Sequence, residues 1–322
     1  MSFDLVMLPP QSELTRNWAH LLESSVEGLR VHVPEDRANA LEILPRALAA
    51  FGTLDPELLA AAPRLRWLQA PATAPDAGFF FPKLEEHPVQ VTNFRGIHND
   101  HVVNHALALI LALARNLPVY LRQQSSALWL RHLEDSSVVA LADSTALVIG
   151  VGGIGAEIAR LLSAFGCRVL GVDPRLEVSP PGMEALHRPD SLDDLLPQAN
   201  IVVLTLPHTP ESEGLIDARR LALFQRGSML INIGRGQTVR LEAVVKALQS
   251  GQLGGVGLDV FEEEPLPMNH ALWSEPNALL TPHVAVVGPH TEEKRFQFFC
   301  QNAQRFVRGE QLLNIVDKSK WY

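Results

Sequence analysis

Three ionisable residues stand where a chemical site is easiest to build. Arg235 lies between glycines in Asn232-Ile-Gly-Arg-Gly236, Glu264 ends the acidic run of Leu258-Asp-Val-Phe-Glu-Glu-Glu-Pro-Leu-Pro267, and His283 sits in Thr281-Pro-His-Val-Ala285. Each follows an expected β-strand, and in open α/β sheets ligands bind outside the carboxyl ends of the strands. Each alone is ordinary. A histidine after a strand is more often a solvated or satisfied core residue, an arginine between glycines can be a turn residue, and Glu262 to Glu264 can be a solvated acidic face. Together they make the set that reduction of a 2-oxo acid requires. A guanidinium forks onto the planar carboxylate and polarises the carbonyl, while an imidazolium supplies the proton as hydride arrives from a nicotinamide. A carboxylate beside the imidazole orients it and raises its pKa.

A second pattern supplies the partner for that chemistry. Gly150-Val-Gly-Gly-Ile-Gly155 follows the uncharged run at 145–149 and opens a helix-patterned segment. In that context Gly150 permits a tight turn, Gly152 lets the backbone approach a pyrophosphate, and Gly155 allows close helix packing. The next expected strand ends at Asp173, 18 residues after Gly155. A carboxylate there accepts the hydroxyls of an adenosine ribose and repels a 2′-phosphate, so NAD is favoured over NADP. Arg175 keeps NADP open, because a guanidinium beside the ribose can hold a phosphate.

The elements that must position these residues follow from hydrophobic patterning. Residues 1–98 alternate short apolar runs (4–8, 30–33, 65–69, 89–93) with helix-like stretches at 12–22 and 38–50, the pattern of a small βα-repeating domain. Asn99-Asp100 supplies a helix start with capping side chains, and Pro118 marks the end of that helix. Buried strands at 145–149, 169–172, 201–204, 229–233, 255–260 and 278–280, mostly separated by helix-patterned segments, read as a parallel sheet. The expected fold class is therefore α/β: a Rossmann-type doubly wound domain and a smaller flavodoxin-like α/β domain.

Composition removes other classes. At 322 residues, 47% hydrophobic and 20% charged, the chain has the makeup of a globular protein long enough for two domains. Its longest apolar run, 106–114, is far short of the roughly 20 residues that span a bilayer, so no membrane is expected. The first ten residues lack the pattern of a signal peptide, and the cytoplasm is the expected location. Two cysteines are too few for a disulfide framework, and a net charge of -9 argues against nucleic acid. His98, His101 and His105 share a helix face, but nothing completes a ligand set, and no metal is expected.

The segments around 150–155, 206–210, 232–236, 257–267 and 281–285, and the tail at 309–317, resemble the successive signatures of the D-isomer-specific 2-hydroxyacid dehydrogenase family. The resemblance implies a catalytic set of Arg235, Glu264 and His283, and NAD contacts from Gly153, Ile154, Asp173, Leu206, Pro207, Ile233, Gly234 and Asp259, beside Gly150, Gly152 and Gly155 of the loop. It also implies a discontinuous substrate domain, 1–98 with 288–322, around a cofactor domain of 99–287, with the active site in the cleft between them. Family members bind the substrate carboxylate through a glycine-containing loop, where this chain has Ala70-Pro-Ala-Thr-Ala-Pro-Asp76. The prolines at 71 and 75 donate nothing, which leaves Ala72, Thr73 and Ala74 as substrate-binding donors beside Arg235 and His283. The expected reaction is reduction of a small 2-oxo acid of the glyoxylate or hydroxypyruvate kind by an NAD-dependent enzyme. The alternative is an NAD(H)-sensing scaffold like the corepressor branch of the family. A homodimer is expected, built on the helix at 100–115 and the arm around Trp129.

Overall fold

The computed structural model describes residues 3–73, 78–131 and 138–319. The chain divides into two compact units, Met1–Ile97 with Pro289–Tyr322, and His98–Gly288.

The first unit holds five parallel strands: β1 (Phe3–Met7), β2 (Leu29–His32), β3 (Ala49–Phe51), β4 (Trp67–Gln69) and β5 (Gln90–Thr92), in spatial order β2-β1-β3-β4-β5. That order is the flavodoxin-like arrangement. Trp18, Phe51, Trp67, Phe94 and Phe299 are almost wholly buried together in one core. Phe299 comes from the helix Thr291–Arg308 and lies 5.1 Å from the Phe51 ring centre, so the chain's last helix completes this sheet's cover. One expectation fails here. The helix-like stretch at 38–50 is α-helical only over Arg37–Ile43, because Pro45 cannot continue the α-helical hydrogen-bond ladder; a single 3-10 turn follows at Leu44–Arg46, and Ala49–Phe51 becomes the central strand β3.

The second unit carries seven parallel strands: β6 (Thr145–Ile149), β7 (Arg168–Val172), β8 (Ala185–His187), β9 (Ile201–Leu204), β10 (Ser228–Asn232), β11 (Leu253–Leu258) and β12 (Ala278–Leu280). Their order is β12-β11-β10-β9-β6-β7-β8. The chain winds outward from β6 to β8, returns to β9 on the other side of β6, and winds outward again. Beyond the carboxyl ends of β6 and β9 there is therefore a topological switch point. Leu147, Val148, Val202, Val203, Leu230 and Ile231 are fully buried, as expected of strands covered on both faces. The strand β8 is absent from the sequence reading: it is three residues long, at the sheet edge, and only half-buried.

Two helix boundaries also differ from expectation. The helix Asn99–Ala114 begins inside the anticipated cap, with His98 at the capping position and no side-chain cap. It ends at Ala114, while Pro118 lies in the first turn of the next helix, Leu117–Ser125, where a missing N–H costs nothing. No single helix among the described residues is long and apolar enough to cross a membrane.

Candidate active site

The glycine loop is built at the switch point. Gly150 adopts φ +93°, a backbone region open to glycine and rarely to other residues. A Cβ at Gly155 would overlap the carbonyl oxygen of Gly150, which also accepts a hydrogen bond from the Thr205 hydroxyl. The loop then enters the helix Gly153–Ala164, whose first N–H groups have no partners within the helix and favour an anion. These features fit a dinucleotide pyrophosphate. Asn99, which sequence reasoning took as a cap, instead lays its amide on this turn: its Nδ2 would be 2.6 Å from a Cβ at Gly153.

The neighbouring loops converge on the same edge. A Cβ at Gly234 would lie 2.7 Å from the Leu206 carbonyl oxygen, so the turn after β10 rests on the Leu206-Pro207 turn after β9. Ile233 is buried beside them. Asn232 shapes the turn that carries Arg235. Its Oδ1 accepts from the Gly234 N–H at 3.1 Å and its Nδ2 donates to the Arg235 carbonyl at 3.0 Å, which also accepts from the Thr238 hydroxyl at 2.6 Å. Arg235 itself is half-buried, and its Nη1 donates to the Gly234 carbonyl at 2.6 Å. Asn232 and Thr238 were missed in the sequence, where only their spacing around Gly-Arg-Gly could have pointed to them.

His283 follows β12 in a left-handed conformation, φ +53°. Its Nδ1 lies 2.7 Å from Oε2 of Glu264, and Oε1 of Glu264 accepts from the Phe261 N–H at 2.9 Å. Both carboxylate oxygens are thus placed, and the ring of His283 is held from one side with Nε2 left over. Behind the same loop stands Asp259, 1% exposed. Its Oδ1 accepts from the Val284 N–H at 2.9 Å and the Thr281 hydroxyl at 2.7 Å, and its Oδ2 accepts from the Ala285 N–H at 2.9 Å.

Asp173 is equally enclosed, at 1% exposed. Its carboxylate accepts from the backbone of Val151 at 2.9 Å and Arg175 at 2.8 Å, and the Arg175 guanidinium approaches to 3.4 Å. Burial works against the charged carboxyl, yet the Arg175 side chain and these N–H groups outweigh it and hold the pKa below the ordinary aspartate range. No trio of His, Cys, Asp or Glu spaced for a metal ion occurs among the described residues.

In the first unit, the segment after β4 presents the remaining candidates. Pro71 turns its carbonyl to the Arg295 guanidinium at 2.7 Å, which directs the Ala72 N–H the opposite way. Asn93 donates to the Thr73 carbonyl at 2.8 Å. Ala74 lies outside the described residues.

Comparison with known proteins points one way. A family model of the D-isomer specific 2-hydroxyacid dehydrogenase NAD binding domain matches residues 107–285. The glyoxylate reductase of Thermococcus kodakarensis is 31% identical over 315 residues, covering 92% of this chain and 93% of that protein. A D-isomer specific 2-hydroxyacid dehydrogenase from Xanthobacter autotrophicus Py2, solved in complex with NADPH and MES, is 30% identical with a TM-score of 0.85 over 100% of both chains. The D-lactate dehydrogenase of Aquifex aeolicus, complexed with NAD and lactic acid, is 25% identical with a TM-score of 0.75, covering 95% of this chain and 96% of its own.

Proposed function

The chain belongs to the D-isomer specific 2-hydroxyacid dehydrogenase family, and from that premise we propose that it reduces a glyoxylate-like 2-oxo acid with NADH, using His283 as proton donor and Arg235 as carboxylate fork. It is an oxidoreductase that moves hydride between a nicotinamide cofactor and a 2-oxo or 2-hydroxy acid. The scaffold alternative has no support.

The observation that carries the residue assignment is the His283–Glu264 pair at 2.7 Å. With Nδ1 engaged by the carboxylate, Nε2 is the ring atom left to hold the transferable proton, and Glu264 stabilises the charge of the imidazolium before transfer. Arg235 orients the acid and polarises its carbonyl. The glycine loop, the Leu206-Pro207 turn and Ile233-Gly234 would hold the cofactor, which supplies the hydride. Asp173 favours NADH by its charge, and Arg175 must swing off its carboxylate before a ribose diol can take its place. The first unit, Met1–Ile97 with Pro289–Tyr322, is the substrate unit, with Ala72 and Thr73 as backbone donors for the carboxylate.

Steady-state assays with NADH and NADPH against glyoxylate, hydroxypyruvate and pyruvate test this reading. Turnover of at least one acid with NADH preferred is expected, whereas NADH binding without turnover of any acid contradicts it. A homodimer is part of the proposal: Leu117, Leu121, Leu128, Trp129 and Leu130 are exposed on one short stretch, with Trp129 86% exposed. Sedimentation showing only the 35.4 kDa chain would reject it.

A further inference from the structure

The helix Asn99–Ala114 meets β11 by a simple rule, residues four apart on the helix against residues two apart along the strand. Leu113 lies over Gly255 and Leu109 over Gly257, and at each glycine a Cβ would come within 2.9 Å of the leucine side chain. The missing side chains are what let the helix sit so close. One step further, the same ridge brings His105 to Asp259, just past the end of β11, and here the pairing turns polar. His105 Nε2 lies 2.9 Å from the Thr281 hydroxyl oxygen and 3.5 Å from Oδ1 of Asp259.

The proton order in this chain follows from its members. An ionised Asp259 carboxylate only accepts, so the Thr281 hydroxyl gives its proton to Asp259 at 2.7 Å. The Thr281 oxygen then accepts from His105, whose Nε2 must carry a proton. Asp259 in turn holds the N–H groups of Val284 and Ala285 with its side chain and that of His283 with its carbonyl, at 2.9 Å each. These bonds hold the backbone at His283, which sits at φ +53°, a region uncommon for residues with a Cβ although histidine enters it more readily than most.

We infer that His105 is a positioning residue for the reaction: through Thr281 and Asp259 it fixes the backbone of the loop that carries the proton donor. It rests on the assignment of His283 as that donor. His105 touches no reacting atom. Its contribution is a single N–H donor at the end of the chain, and an amide nitrogen at the same reach can replace it.

The test uses H105L, which removes the donor and keeps the bulk, H105Q, which restores an N–H, T281V, which removes the intermediate hydroxyl, and H283A. With NADH and the best 2-oxo acid, H105L and T281V should each lose about tenfold in kcat. The dissociation constant for NADH, read by fluorescence, should stay within twofold, and H105Q should recover most of the lost rate. The double variant H105L/T281V should be no slower than the worse single, because both act through one chain. If H105L keeps kcat within twofold of wild type while H283A is severely impaired, the inference fails and the donor assignment stands. Equal losses in H105L and H105Q also overturn it, since the N–H would then not be what matters. Wild-type kcat in H283A removes the donor assignment, and the inference falls with it.

Discussion

The backbone of Gly236 rests directly on the carbonyl of Phe261: a Cβ at position 236 would overlap that oxygen. Phe261 donates its own N–H to the Glu264 carboxylate, and the Gln237 side chain donates to the Glu262 carbonyl at 3.3 Å, so the turn bearing Arg235 and the loop bearing Glu264 are held together. The substitution G236A must push the two apart. A displacement of about an ångström in a positioned group costs on the order of 10²-fold, and kcat/KM of G236A for the 2-oxo acid is expected to fall by about that much. A variant with wild-type kcat/KM would show that this contact does not set the geometry.

Asp173 makes a prediction about acid stability. Its folded carboxyl is held below the ordinary range, so its contribution is fully present above the unfolded value of about 4 and is lost as pH falls below it. D173N removes the charge and leaves one acceptor oxygen where the carboxylate served two sets of donors, at a cost of about 1–3 kcal/mol at pH 7. Urea midpoints of wild type and D173N should differ most near neutrality and converge as pH drops below about 4. A gap that stays constant down to pH 3 would contradict the assignment.

The fold was legible in the sequence wherever one residue type has one physical use. Gly150 takes φ +93° and Gly155 stands where no Cβ fits, and the uncharged β-branched runs became strands buried on both faces. The positions of Arg235, Glu264 and His283 after β10, β11 and β12 followed from the same pattern. What stayed hidden depends on contacts distant in the chain. Asn99 has the composition of a cap, yet its amide serves a turn more than fifty residues away. Asp173 reads as a ribose contact because it ends a strand, and Asp259 as a cofactor contact through the family resemblance, while the structure shows each of them also organising backbone N–H groups. The strand β3 was lost inside a helix-like alanine-rich stretch, since alanine at 49 and 50 carries no strand signal of its own and becomes one only between β1 and β4.

Burial raises the thiol pKa of both Cys167 and Cys300. The thiolate is the reactive form. Native protein at pH 7 should therefore react with a thiol reagent much more slowly than unfolded protein, in which both should react at the ordinary rate. Fast stoichiometric labelling of the native chain at either position would contradict this.

Arg235 is expected to tolerate no cationic substitute. Lysine retains the charge but not the planar fork that matches a carboxylate, so R235K should be nearly as damaging to kcat/KM as R235A. Full kcat/KM in R235K would show that Arg235 only shapes its turn, the role its bonds to Asn232 and Gly234 would then explain.

The most direct measurement is kcat of H283A for the best 2-oxo acid, taken beside its NADH dissociation constant. If Nε2 of His283 delivers the proton while Glu264 holds Nδ1, kcat should fall by roughly 10² to 10⁴ with NADH binding near wild type. A variant that binds NADH normally and turns over at the wild-type rate would contradict the assignment of His283 as the acid.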